Sequence, residues 1–219
     1  GMLLAQEPKL LPVDAPAAGM PLAEREHPTP PLVHLAKPPA LAVLDFAAIP
    51  AGLEATDAML KKAPVAFFRS GTVTRGRYLT LVGGTPASVK EALEEALARA
   101  GGNVLDHLFL ADVHPRLLDA LEGRTGGEGT AALLILETAT ASSVVLACEK
   151  ALKGTQVDLV EVRLADAGLA GKGLALLRGD LYELEAAVEI VTSALPPAAG
   201  LSWRVLARPH DALARENAL

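Results

Sequence analysis

Five histidines, a single cysteine and 26 carboxylates are the groups of this sequence best suited to bind a metal or move a proton. His114 and His210 stand in like settings, LADVH and LARPH. Neither has a second histidine or a carboxylate at helical ligand spacing, so a structural or interface role is expected and no metal site. Cys148 lies in a helical pattern between Ala147 and Glu149 with no histidine placed to activate it, and reads as a small buried hydrophobe. Asp45 and Glu137 close two similar apolar runs, ALAVLDF and ALLILET. A carboxylate pair suits acid–base work, but no nucleophile or oxyanion motif accompanies them, and duplication explains their equivalence. Gly83-Gly84 and Gly179-Asp180 precede helices, where backbone N–H groups can meet a phosphate. Neither continues as GxGxxG or GxxxxGK[ST], so both are read as strand-to-helix turns. No catalytic constellation and no cofactor motif is found, and no enzyme is expected.

Composition narrows the function classes further. At 219 residues the chain has room for one large or two compact domains. With 20 Lys and Arg against 26 Asp and Glu, the net charge is −6. No basic field draws nucleic acid, and 3% aromatic content supplies few stacking platforms. Hydrophobic residues make up 51% of the chain, so the core must be built from closely packed Ala, Leu and Val. One cysteine cannot form an intrachain disulfide, which fits a reducing compartment such as the cytosol. No apolar run is long enough to span a bilayer, and residues 3–22 lack the pattern of a signal peptide. Residues 1–39 hold nine of the 16 prolines and no sustained periodicity, so this stretch is expected to be an extended or disordered arm.

The elements that position these groups come as a repeat. Ala132 begins a run 92 residues after the one that Ala40 begins, and at the same offset Asp57 matches Glu149, Leu60 matches Leu152 and Lys61 matches Lys153. The register then shifts, pairing Arg77 with Lys172 and Gly84 with Gly179, and finally His114 with His210. Two units are too few for a solenoid, so this is a duplicated domain, 40–123 and 131–219. Each repeat reads as strand, helix, strand, strand, helix, strand and a short helix: an α+β split βαβ unit of ferredoxin-like type. The first has strands at 40–46, 65–69, 77–82 and 104–109. Its first helix, 52–63, is expected to bury Leu53, Thr56, Met59 and Leu60 on one face. Thr85 caps the second helix, with Pro86 at its first position and Gly101 at its end. The second repeat places elements at 132–138, 142–153, 157–164, 172–178, 181–195 and 201–206. The two hairpin loops, Ser70, Gly71, Thr72, Val73, Thr74 and Arg75, and Ala165, Asp166, Ala167, Gly168, Leu169 and Ala170, are small, polar or glycine-containing. Tips of this kind would line a channel if several domains converged around an axis.

Several of these marks together resemble the bacterial microcompartment shell domain. They are Glu137-Thr138 ending an apolar strand, Lys153 near a helix end, the glycine-rich hairpin at 168–173, Arg178-Gly179-Asp180 before the second long helix, and Arg208-Pro209-His210. The first repeat resembles the family through TDAMLKKAPV, LVGGTPASVKEA and LADVHP. The resemblance covers residues 40–215, in the unpermuted order of the tandem shells of propanediol-utilisation type. It implies a structural shell protein in the cytoplasm, forming a homotrimeric, pseudohexameric tile beside other shell proteins. Encapsulated enzymes are candidate partners, and nucleic acid and membrane are not.

By position, Ser70–Thr74 and Ala165–Leu169 are implied to line a central pore for small metabolites. Lys61, Lys153, Arg208 and His210 are implied to lie at tile edges, where a long stem can lie along a neighbour and its ammonium bond backbone carbonyls. The propanediol-type relative carries a cluster-binding cysteine where this chain has Thr74, and a hydroxyl cannot replace a thiolate there. A pore without metal or cofactor is therefore expected. An extra residue near Asp166 would add three carboxylates at the opening and favour cations or neutral polar metabolites. The rival reading is a cytosolic trimeric ligand-binding regulator with ferredoxin-like domains, which would explain the duplication but not these combined marks.

Overall fold

The apolar run Ala40–Phe46 forms β1 and is buried at every position, the pattern of a central strand covered on both faces. The structure, a computed structural model, describes residues 38–124 and 132–210. All but the end of the proline-rich arm, and the short closing helix expected in the second repeat, lie outside the described residues. The first repeat continues with α1 (Ile49–Lys62), β2 (Phe67–Val73), β3 (Arg77–Gly84), α2 (Pro86–Ala100), β4 (Val104–Leu110) and α3 (Pro115–Leu121). The second comprises β5 (Ala132–Thr138), α4 (Ala141–Gly154), β6 (Asp158–Leu164), β7 (Gly173–Gly179), α5 (Leu181–Ala194) and β8 (Ser202–Leu206).

Each repeat is one antiparallel sheet, ordered β2-β3-β1-β4 and β6-β7-β5-β8. Threading β3 between β1 and β2 makes the split βαβ unit that the sequence pattern predicts. Registers also correspond: Leu41 pairs with Leu110 in one sheet and Leu133 with Leu206 in the other. On one face of the first sheet, Ala42, Leu44, Phe46 and Val82 pack with Ala55, Met59, Val89 and Ala96 of α1 and α2. Its other face presents Leu41, Val43, Leu79, Leu81 and Leu108, which share a cluster with Val144, Val145 and Cys148 of α4. Helix α4 is thus packed between two sheets, touching β5, β6 and β7 of its own repeat and β1 and β4 of the other. The far face of the second sheet differs. Among the described residues, its cluster of Leu133, Val160 and Leu176, with Ile135 and Leu206 against it, comes from strands.

Two boundaries and one helical face depart from expectation. Helix α1 begins at Ile49, not 52, because Pro50 sits in its first turn, where the missing N–H costs no helical bond. Only Gly52, Ala55, Thr56 and Met59 are buried along it, while Leu53 and Leu60, expected on the same face, are exposed. Strand β2 runs on through Ser70, Gly71, Thr72 and Val73, which pair with Thr80, Leu79, Tyr78 and Arg77. The first hairpin tip is therefore only Thr74–Gly76, closed by positive φ at Arg75 and Gly76. The capping of α2 is as read: the Thr85 hydroxyl accepts from the Ser88 N–H at 3.2 Å, and Gly101 ends the helix at φ 52°.

Candidate functional site

The two hairpin tips meet. Thr74 donates its hydroxyl to the Ala165 carbonyl at 2.8 Å and accepts from the Gly171 N–H at 2.8 Å. Its own N–H reaches the Ala165 carbonyl at 3.1 Å. Beside it the Arg77 guanidinium donates to the Gly171 carbonyl at 2.9 Å and to Ala139 at 3.3 Å. A small polar residue at Thr74 therefore ties one repeat's tip to the other's loop. That loop, between β6 and β7, turns through positive φ at Ala165, Gly168, Ala170 and Gly171. Between the tip and the loop opens a cleft of about 480 Å³ with Leu79, Leu81 and Leu164 among its walls and Arg69, Ser70, Thr72 and Asp166 at its polar positions.

The charge at this loop differs from what an added aspartate by itself implies. Asp166 does not stand bare: Arg163 donates to both of its carboxylate oxygens, at 3.0 Å and 2.8 Å, and to the Ala167 carbonyl at 2.8 Å. This pairing cancels most of the local negative charge on which a cation preference would rest. Nearby on β6, burial raises the Glu161 carboxyl above the ordinary glutamate value.

A second polar centre joins the repeats away from the tips. Asp45, 1% exposed, accepts from the Ala141 N–H at 3.1 Å, the Ser142 N–H at 2.8 Å and the Ser142 hydroxyl at 2.6 Å. Opposite it in the ladder, Asp106 accepts from the Thr140 hydroxyl and, at 2.7 Å, from the Ser143 hydroxyl. Two carboxylates of the first sheet thus clamp the N-terminus of α4, whose unpaired N–H groups and positive dipole end favour an anion. Burial nevertheless raises the Asp45 carboxyl above its ordinary value, more than the bonds from Ser142 and Ala141 lower it. The equivalent Glu137 takes no such part and pairs with Lys172 at 2.7 Å.

The far end of α4 repeats the theme with opposite charge. Glu149, almost fully buried, accepts from the His114 N–H at 3.0 Å and pairs with Lys153 at 2.7 Å. Lys153 also donates to the Asp112 carbonyl, and its ammonium is held above the ordinary lysine value chiefly by the bond to Glu149. His114 caps α3 by accepting the Arg116 N–H on Nδ1 at 3.2 Å, and burial lowers its pKa. Arg116 in turn reaches the Val157 carbonyl and Asp158. Lys153 and His114 therefore sit at the junction of the repeats. Lys61 lies on the exposed side of α1, paired within its helix to Asp57 at 2.6 Å, with side chains 74% and 61% exposed. Arg208 and His210 follow β8, at the end of the described residues. Cys148 is fully buried, which pushes its thiol up to about 12.

Sequence reasoning missed Asp106, Arg163 and the hydroxyl run Thr140, Ser142 and Ser143. A signal was present: the approach to α4 reads TATASS where the approach to α1 reads FAAIPA, and hydroxyls at a helix start mark an N-terminus with something to bind.

The arrangement joins and positions two domains, and among the described residues it gathers no group of His, Cys, Asp and Glu that could hold a metal ion. Comparison with known proteins agrees. The family model of the BMC domain matches residues 40–113 and again 132–209. The bacterial microcompartment shell protein PduT of Citrobacter freundii is 32% identical over 178 residues, covering 81% of this chain and 96% of its own. A carboxysome shell protein of Synechococcus elongatus is 36% identical over 84 residues, 36% of this chain and 82% of its own. Among solved structures, a microcompartments protein of Desulfitobacterium hafniense DCB superposes with TM-score 0.69 and 34% identity, covering 80% of this chain and 98% of that one.

Proposed function

The chain belongs to the BMC-domain family and is a tandem-domain shell protein of a bacterial microcompartment, and we propose that three chains close into a pseudohexameric tile with a central pore. Its role is structural, not enzymatic. The observation that carries the reading is the joining of the tips: Thr74 binds the Ala165 carbonyl and the Gly171 N–H, so one chain behaves as two adjacent sectors whose inner corners touch. Three such pairs about a threefold axis would bring all six tips to the centre.

In this tile the shell domains are 40–123 and 131–219. Passage through the opening is passive, graded by size, charge and hydrogen bonding at a rim formed by Thr74 and Ala165–Leu169. Ser70–Val73, which belong to β2, line the approach and not the rim. Since Arg163 covers Asp166, the rim selects weakly by charge. The Thr74 hydroxyl is already committed to the loop, and it supplies no thiolate for a cluster. Lateral neighbours are other shell proteins, met at edges carrying Lys61, Lys153, Arg208 and His210.

Negative-stain electron microscopy with native mass spectrometry tests the reading. Hexagon-shaped trimers with a central depression, extending into sheets, are expected. Monomers at every concentration would overturn it. Lys61→Asp is expected to abolish sheets while leaving trimers intact; unchanged sheets would remove Lys61 from the edge.

A further inference from the structure

Among the groups that join the two repeats, a histidine is the one whose charge changes near neutral pH. His114 stands at the start of α3, and α3, though part of the first repeat, lies on β6 and α4 of the second. We propose that His114 is a proton-operated latch between the repeats: neutral, its Nδ1 holds the first turn of α3 on the second repeat, and protonated it releases that turn.

The geometry fixes which form of the ring the fold requires. Nδ1 accepts the Arg116 N–H at 3.2 Å, so it carries no hydrogen and the ring is the neutral tautomer protonated on Nε2. A second proton would set a donor against a donor. No rotation of the charged ring restores the cap, because both of its nitrogens then carry hydrogen.

The turn so capped is the one that reaches across the junction. The His114 N–H donates to the buried Glu149 at 3.0 Å, and Arg116 donates to the Val157 carbonyl at 2.8 Å and to Asp158 at 2.7 Å. The N–H groups of Leu117 and Leu118 bond back to the His114 carbonyl at 3.0 Å and 3.4 Å, and both leucine side chains are buried. One histidine therefore sets the place of a cross-repeat arginine and two core leucines.

Charges of both signs surround the ring. Arg116 on α3 and Lys153 on α4 oppose its protonation, while Glu149 on α4 and Asp112 before α3 favour it. Both carboxylates are already engaged by Lys153, and Asp158 of β6 is held by Arg116. Burial is the largest influence, and it lowers the histidine below its ordinary value of 6.5. The latch is therefore fully closed above 6.5 and opens as pH falls through the lowered native value.

Nuclear magnetic resonance on the full chain tests this. At about pH 8 the His114 ring should be the tautomer with hydrogen on Nε2 alone. As the ring titrates, hydrogen exchange at Arg116, Leu117 and Leu118, corrected for its intrinsic pH dependence, should quicken about 5-fold, the effect of losing one helix cap. His114→Asn keeps a capping oxygen that does not titrate, so exchange at these amides should stay level and its unfolding midpoint should exceed the parent's in acid. The exchange measurement on the parent decides alone if that variant does not fold. The latch is overturned if the ring titrates while these amides keep pace with those of α2, if the ring stays neutral until the chain unfolds, or if folded His114→Asn follows the parent's pH profile. None of these outcomes touches the trimer reading, on which the latch does not rest.

Discussion

The two repeats make the same helix–sheet contact with opposite residues. In the first, Gly52 of α1 lies against Tyr78 of β3, and a Cβ on the glycine would come within 2.5 Å of the ring. In the second, the helix carries the bulk: Val144 of α4 presses on Gly173 of β7, where an added Cβ would come within 2.4 Å of it. Val144 is the counterpart of Gly52 and Gly173 that of Tyr78, by the offsets of 92 and 95 residues. What duplication preserved at this point is the space between helix and strand, not the side chain that fills it. Interiors this closely packed leave room for one large group at a contact, on either side. The carboxylates teach the complementary lesson: Asp45 and Glu137 hold equivalent places in their strands, yet one clamps the start of α4 while the other pairs with Lys172.

The most forceful way to break the comparison is to put bulk on both sides. Gly52→Val should destabilise the chain by about 3 kcal/mol in denaturant unfolding, and adding Tyr78→Gly should restore much of it by giving the first repeat the arrangement of the second. No recovery in the double variant would mean the two contacts are not interchangeable. Next comes the clamp: Asp45→Ala leaves the start of α4 without its acceptor and should cost about 2–3 kcal/mol, whereas Glu137→Ala, at an exposed ion pair, should change stability by less than about 0.5 kcal/mol. Equal losses would erase the distinction between the two carboxylates.

A smaller contrast separates the lysines. Lys153→Ala strips a buried carboxylate of its ammonium and should cost about 1 kcal/mol, while Lys61→Ala should leave the unfolding midpoint of the isolated chain where it was. The smallest effect is one of pH. Burial raises the Asp45 carboxyl, so the folded chain holds that proton more tightly than the unfolded one. Its contribution is complete below the ordinary aspartate value of 3.8 and is lost as pH rises through the raised native value. The stability of the parent chain relative to Asp45→Asn should therefore fall as pH rises through that window; a flat difference would show that the bonds from Ser142 offset desolvation fully.

Much of the fold was legible because it rests on local pattern. Thr85, Pro86 and Gly101 mark the ends of α2 through backbone chemistry that needs no partner, and the short apolar runs marked where the strands lie. Ser70–Val73 misled because serine, glycine and threonine read as a loop, yet β3 supplies a full ladder and Tyr78 donates its hydroxyl to Ser70 at 3.0 Å. Leu53 and Leu60 share helical spacing with Thr56 and Met59, but periodicity alone cannot tell which apolar positions of a helix the rest of the chain covers. Asp45 was visible only as a strand-ending carboxylate. Its role depends on Ala141 and Ser142, nearly a hundred residues further on, and no local window holds both.

The burial of Cys148 has a consequence for the material that this chain helps to build. With its only sulfhydryl sealed between two sheets and pushed up to about 12, the folded wall offers electrophiles no thiolate at neutral pH. Reactive carbonyl compounds and oxidants collecting beside it would find no exposed thiol to alkylate or oxidise. The barrier would then keep its dimensions while the chemistry next to it proceeds.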